Sequence, residues 1–271
     1  MELSCSLIYP EFEPYASRNR VPVMTALYDD IGKGYSATRC TDPKIAAQLH
    51  LELEGATRIV NIGAGTGSYE PDNAELVAVE PSSAMIVQRK RDSYRVEKAF
   101  AEKLPFEDDS FSHAMTVNSL HHWRSRDLAF REINRVATEK FIAITWDPDA
   151  DPFWLTRDYF PEIYAMDKLI FPRLNELDKY FDDVSVKPLL IPNDCRDGLL
   201  AAFWQRPSAY LDGKVRQSMS AFFKIKNLAQ GLQNLADDIA SGAWREKNRA
   251  ILDSLSLDVG YKLITAKTRK V

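Results

Sequence analysis

Residues 60–67, Val60-Asn61-Ile62-Gly63-Ala64-Gly65-Thr66-Gly67, run an apolar stretch straight into three glycines at alternate positions. Such a loop lets a ligand lie against bare backbone, because no side chain stands in the way. Thirteen residues beyond Gly67, Glu80 ends a second apolar run. A carboxylate there, beside the loop at the carboxyl edge of a sheet, can accept from both hydroxyls of a ribose. The glycine spacing departs from the G-x-G-x-x-G of the dinucleotide turn, which argues against NAD. No Gly-Lys-Ser/Thr follows the loop, which excludes ATP on a P-loop. A tight strand-to-helix turn and a solvated acid would account for either feature alone, but together they point to a ligand.

A histidine pair, His121-His122, follows a later apolar run at the same edge. An imidazole of near-neutral pKa can take a proton from a hydroxyl, an amine or an activated carbon. His122 is the first candidate for such a base and His121 the alternative. The competing account is packing beneath the ligand or a hydrogen bond to backbone. On an extended segment the two rings cannot point the same way. With four histidines and three widely spaced cysteines (Cys5, Cys40, Cys195), neither a metal site nor a disulfide framework is expected.

These groups need a scaffold, and residues 42–146 supply an alternation of helical and strand patterns that reads as a parallel sheet with crossover helices. Asp42-Pro43 is an N-cap and first-turn pair, and Ile45, Ala46, Leu49 and Leu53 share one helix face that ends near Gly55. Strands are predicted at 58–62, 76–80, 94–99, 111–117 and 141–146, with helices at 82–91 and 127–136. Beyond a turn-rich linker at 147–152, residues 153–181 are aromatic-rich and helical. Residues 184–191 read as an edge strand, because Pro188 lacks a ladder donor, and 259–266 as a final strand. The fold class is α/β: a doubly wound, Rossmann-like, seven-stranded sheet whose last strand is antiparallel, with a helical cap inserted in the C-terminal half. The expected organisation is one domain: an arm at 1–41, a ligand-binding core at 42–146, and at 147–271 the last strands with the cap, a long helical segment inserted at about 194–255.

The net charge of −4 in 271 residues argues against nucleic acid, which calls for a clustered basic surface. No apolar run reaches the roughly eighteen residues that a bilayer demands, and Met1-Glu2-Leu3-Ser4 lacks the positive start of a signal peptide. The expected setting is cytoplasmic, with a small-molecule partner and no membrane contact.

Four motifs occur in order: Asn61 to Gly67; Val79-Glu80-Pro81-Ser82 with Met85; Ala101-Glu102-Lys103-Leu104-Pro105-Phe106 with Asp109-Ser110-Phe111; and Asn118-Ser119-Leu120-His121-His122-Trp123. Residues 60–146 thereby resemble class I S-adenosylmethionine-dependent methyltransferases of the group that modifies small metabolites. The resemblance implies S-adenosyl-L-methionine as cofactor. It places Asn61, Gly63, Ala64 and Gly65 along the methionyl and ribose part, Glu80 on the ribose hydroxyls, Pro81 and Met85 beside adenine, Ala101 and Glu102 at the adenine edge, and Asn118 beneath the methionyl group. Residues 28–35 with Arg39 resemble an arm that folds over the cofactor. There Tyr28 and Tyr35 would exclude water and Arg39 would pair with the methionyl carboxylate. A surface loop is the competing account of that arm.

Two departures from the family pattern are visible. Pro71 lies in the short stretch between Gly67 and Leu76, so the helix behind the glycine loop is expected to shrink to about one turn. Residues 137–140, Ala-Thr-Glu-Lys, stand where a Pro-Gly-Gly turn is usual. Methyl transfer from a sulfonium is an in-line displacement that mainly demands alignment and a dry pocket. For the acceptor pocket the candidates are Trp123, Trp154, Tyr159, Phe203 and Trp204, taken collectively, since aromatic residues at helical spacing also serve as core. A binding module that holds the cofactor without turnover and acts through a protein partner is the alternative function.

Overall fold

The computed structural model describes residues 39–72, 74–89 and 94–270. The arm residues Tyr28 and Tyr35 therefore lie outside the described residues. Asp42 caps the first helix, α1 (Pro43–Glu52), by accepting from the backbone N–H of Lys44 and Ile45, as its carboxylate and the following proline require. Strands β1 (Arg58–Ile62), β2 (Glu75–Val79), β3 (Arg95–Glu97), β4 (Phe111–Val117) and β5 (Ala137–Trp146) are parallel. Helix α2 (Ser83–Val87) follows β2 and α3 (Arg126–Val136) precedes β5.

Alternate residues of β1 choose opposite faces, as the two-residue period of a strand dictates. Ile59 packs with Ile45 and Leu49 of α1, whereas Val60 and Ile62 pack with Ala129, Phe130 and Ile133 of α3. Full burial of such side chains contributes about 1.5–3 kcal/mol each, so the two helices hold the sheet in a sandwich. The sheet order is β3-β2-β1-β4-β5-β7-β6. The strand order reverses between β1 and β4, and in such a sheet a crevice opens at the carboxyl ends of the strands.

The last strand, β7 (Ser256–Lys267), lies antiparallel between β5 and the edge strand β6 (Asp182–Pro192). In β6 the register slips between Pro188 and Leu190, where proline removes a donor.

Three expectations are revised. Among the described residues between Gly67 and β2 there is no helix, only turns, with Tyr69 at φ 67°. Strand β5 begins at Ala137, directly after α3, so the missing Pro-Gly-Gly turn leaves no loop at all and lengthens the strand. The segment expected to be long and helical is mostly turns and single helical turns; its longest helix is α5 (Leu228–Ser241), ended by Gly242 at φ 82°. That helix packs with α4 (Pro161–Ile170) and the preceding aromatic segment around Trp154, Phe160, Ile163, Tyr210 and Leu235. Among the described residues no helix is long and apolar enough to cross a membrane.

Candidate active site

The glycine loop is stitched to the neighbouring strand: the N–H groups of Gly63 and Ala64 both donate to the Val79 carbonyl, at 2.9 and 3.0 Å. Gly63 has φ +69°, and a Cβ there would stand 1.8 Å from Ser119 Oγ, so no other residue fits. Gly65, at φ +53°, is different, because a Cβ on it would meet nothing within 4 Å. Glu80, 6% exposed, accepts from the N–H of Gly65 through Oε2 and from that of Ser82 through Oε1, both at 2.8 Å. Burial raises its carboxyl above the usual range, against the pull of these two donors and of Arg89.

A buried polar cluster props the loop from below. Arg89 Nη2 donates to Glu70 Oε2 at 2.7 Å and Oε1 at 2.9 Å, Asn61 Nδ2 donates to Glu70 Oε1 at 2.9 Å, and Arg89 Nη1 reaches the Gly65 carbonyl at 3.3 Å. The cluster occupies the place where a helix was expected.

One cleft is lined by Arg39, Asn61, Gly63, Ala64, Gly65, Glu80, Pro81, Met85, Ala101, Glu102 and Asn118, together with Tyr69, Phe100, His122 and Trp123. The structure thus gathers every described residue of the expected cofactor set. Two more of them have partners within the protein. Arg39 Nε donates to the fully buried Asp197 at 2.8 Å, and the Tyr69 hydroxyl donates to the same carboxylate at 2.7 Å. Glu102 accepts from the N–H groups of Arg124 and Ser125 at the start of α3. Asn118 sits at φ 51°, a left-handed conformation that is costly outside glycine and often kept at functional positions.

A second cavity meets this cleft at Arg39, Asn118 and His122, which line both. Its other walls include His121, Trp146, Phe153, Tyr164, Asp167, Phe171, Met219 and Tyr261. The histidines sit on a 3-10 turn, Leu120–His122, and not on an extended segment, so their rings lie side by side, 3.8 Å apart and tilted by 50°, with His121 stacked on Phe171 at 4.2 Å. Burial, then the charge of Lys224, pushes the His122 imidazole down to about 4. Burial and His122 hold His121 well below its ordinary value. Both rings are neutral near pH 7.

The rings expected in the acceptor pocket scatter. Trp123 lines the first cleft and donates from Nε1 to Ser119 Oγ. Trp154 and Trp204 are core residues whose indole N–H groups donate to the carbonyls of Trp204 and Ile191. Tyr159 donates to Asp238, and Phe203 packs on Tyr210. None of these five lines the second cavity. The aromatic walls come instead from the end of β5, the middle of β7 and α4 with its flanks, places with no helical stripe to reveal them. Asp167 was missed for the same reason: a single acid on an amphipathic helix reads as a solvated face.

A family model described as a methyltransferase domain matches residues 60–142. A solved structure from Anabaena variabilis, described as a candidate methyltransferase from an antibiotic biosynthesis pathway, shares 30% sequence identity, covers 84% of this chain and 98% of its own, and superposes with a TM-score of 0.75. The chain belongs to the class I S-adenosylmethionine-dependent methyltransferases. A 2-methyl-6-phytyl-1,4-hydroquinone methyltransferase of Oryza sativa subsp. japonica is 25% identical over 140 residues, which are 48% of this chain and 39% of that protein. The chain spans less than half the length of the curated relatives it matches. The [4+2]-cyclase SpnF shares the fold alone, at 16% identity and a TM-score of 0.51, over 94% of this chain and all of its own.

S-adenosylmethionine is the cofactor of this methyltransferase family, and the cleft fits it. The bare face of Gly65 leaves room against the backbone, and Asn61 Oδ1 and Asn118 Oδ1 are buried in its walls with no partner among the described residues.

Proposed function

We propose that this methyltransferase transfers a methyl group from S-adenosylmethionine to a small-molecule acceptor by in-line displacement, with the acceptor in the second cavity. The observation that carries the reading is the junction of the two cavities at Arg39, Asn118 and His122. A module that only held the cofactor would have no use for a second chamber beside it. When bound, the cofactor supplies an electrophilic methyl on a sulfonium. Glu80 would take the ribose hydroxyls, Pro81 and Met85 would flank adenine, Asn118 would lie under the methionyl part, and Arg39, shared with Asp197, would face its carboxylate. His122, neutral and at the junction, would receive a proton from the acceptor where one must leave. The acceptor class accords with the relatives, one named for a hydroquinone and one for an antibiotic pathway. The cytoplasmic setting expected from the sequence belongs to the same proposal.

Calorimetry with S-adenosylmethionine, NAD and ATP is expected to show binding of the first alone. Incubation of a source-cell extract with labelled cofactor is expected to label a small molecule. Equal or tighter binding of NAD, or cofactor binding with no transfer, would overturn the proposal. Glu80→Ala should weaken S-adenosylhomocysteine binding by about 1.5–3 kcal/mol, the range for hydrogen bonds to a charged group. Unchanged affinity would place the ribose-binding acid elsewhere.

A further inference from the structure

Among the described residues that line the second cavity, the carboxylate of Asp167, on α4, stands without a partner, as does His121 Nδ1. Three hydroxyls of the walls are engaged elsewhere: Tyr164 donates to the Ala150 carbonyl, Thr156 to that of Phe153 and Ser218 to that of Val215. Arg39 is held by Asp197, and the two histidines are neutral near pH 7. Burial pushes the Asp167 carboxyl up to about 7, and the attraction of Lys224 does not offset it. Lys224 itself is exposed and stands outside the lining, where solvent and salt screen it.

Aromatic rings stand in the same walls. Trp146 meets Tyr164 at 5.8 Å and Phe171 at 5.5 Å, edge to face, and Tyr261 feels the charge of Asp167. Ring faces and a lone carboxylate share one complement, a cation that brings its own hydrogen-bond donors. A neutral alcohol or phenol would leave the carboxylate poorly compensated in a desolvated place. An acidic acceptor would add like charge.

We infer that the second cavity takes an acceptor carrying a protonated amine, its ammonium set against Asp167 among the rings of Trp146, Tyr164, Phe171 and Tyr261; the inference rests on reading the adjoining cleft as the S-adenosylmethionine site. Asp167 is then the residue that selects the acceptor class.

The test uses the full chain saturated with S-adenosylhomocysteine, titrated with phenethylamine and tryptamine and with the matching alcohols, phenethyl alcohol and tryptophol. The amines should bind roughly tenfold to a hundredfold tighter than the alcohols, the range expected for a charged hydrogen bond. Asp167→Asn should erase that preference and leave S-adenosylhomocysteine affinity unchanged. The same variant should melt at a higher temperature than the ligand-free wild type at about pH 8, since it removes a desolvated charge that has no partner. Equal binding of amine and alcohol, absence of amine binding, a preference that survives Asp167→Asn, or a lowered melting temperature would each overturn the inference. Failure of S-adenosylhomocysteine itself to bind would strike the methyltransferase reading instead.

Discussion

Glu70→Ala should destabilise the protein by about 3–5 kcal/mol, the cost of leaving one member of a buried ion pair without its partner. The side chains of Arg89 and Glu70 are 2% and 6% exposed, and the guanidinium spans both carboxylate oxygens. Without Glu70 the guanidinium keeps, among the described residues, a single hydrogen bond, to the Gly65 carbonyl at 3.3 Å. For a chain of this size about 1 kcal/mol corresponds to about 2–4 °C, so the melting temperature should fall by roughly 6–20 °C. Cofactor affinity should fall with it, because Arg89 and Asn61 both position the glycine loop through this carboxylate. The double variant Glu70→Leu with Arg89→Met separates the two effects. An apolar pair of similar volume is often as stable as a buried ion pair, so the melting temperature should recover. The Gly65 carbonyl would still lack its donor, and affinity should stay low. A Glu70→Ala protein that melts within a degree of wild type would show that the cluster props nothing.

That cluster also marks where the sequence stops being readable. The sheet is legible because each parallel strand is a short apolar run between turn signals, and burial on both faces makes the run continuous. The glycine loop and Glu80 are legible because the chemistry needs bare backbone and an acid a fixed distance along the chain. Pro71 correctly signalled a lost helix, but not that Glu70, Arg89 and Asn61 would fill its place. Those three lie far apart in sequence and meet only through the fold. The aromatic acceptor walls failed for a related reason. Trp154 and Trp204 stand on conspicuous aromatic stretches, yet each indole N–H finds a backbone carbonyl within the core, which is the ordinary fate of a buried tryptophan. Trp146, Phe171 and Tyr261 come from separate segments that topology alone brings together. For His121-His122, an extended backbone was the wrong premise. The 3-10 turn brings the rings together and buries them, and burial lowers both pKa values.

His122→Ala should lower turnover by about 100- to 10,000-fold, the usual contribution of a positioned base, while cofactor affinity changes little. The low end is expected, because an imidazole whose conjugate acid has a pKa of about 4 is a weak base and draws little driving force from accepting a proton. His121→Ala should cost less, since that ring lines only the second cavity. The depressed pKa also moves the pH signature. Wild-type rate should stay level as the pH drops below the ordinary imidazole value of 6.5 and decline only toward 4, where the ring takes its proton. Stability responds over the same window. Between 6.5 and about 4 the unfolded chain binds a proton at His122 that the folded chain refuses, so this contribution is complete above 6.5 and is lost as the pH falls through the window. Asp167, raised to about 7, acts in the opposite sense, since its protonation relieves a buried charge. Melting curves of Asp167→Asn should therefore show a steeper loss on acidification than wild type, and those of His122→Ala a shallower one. If His122→Ala instead turns over normally but binds S-adenosylmethionine weakly, the ring is a wall between the two cavities, and the rate comes from alignment of acceptor and cofactor.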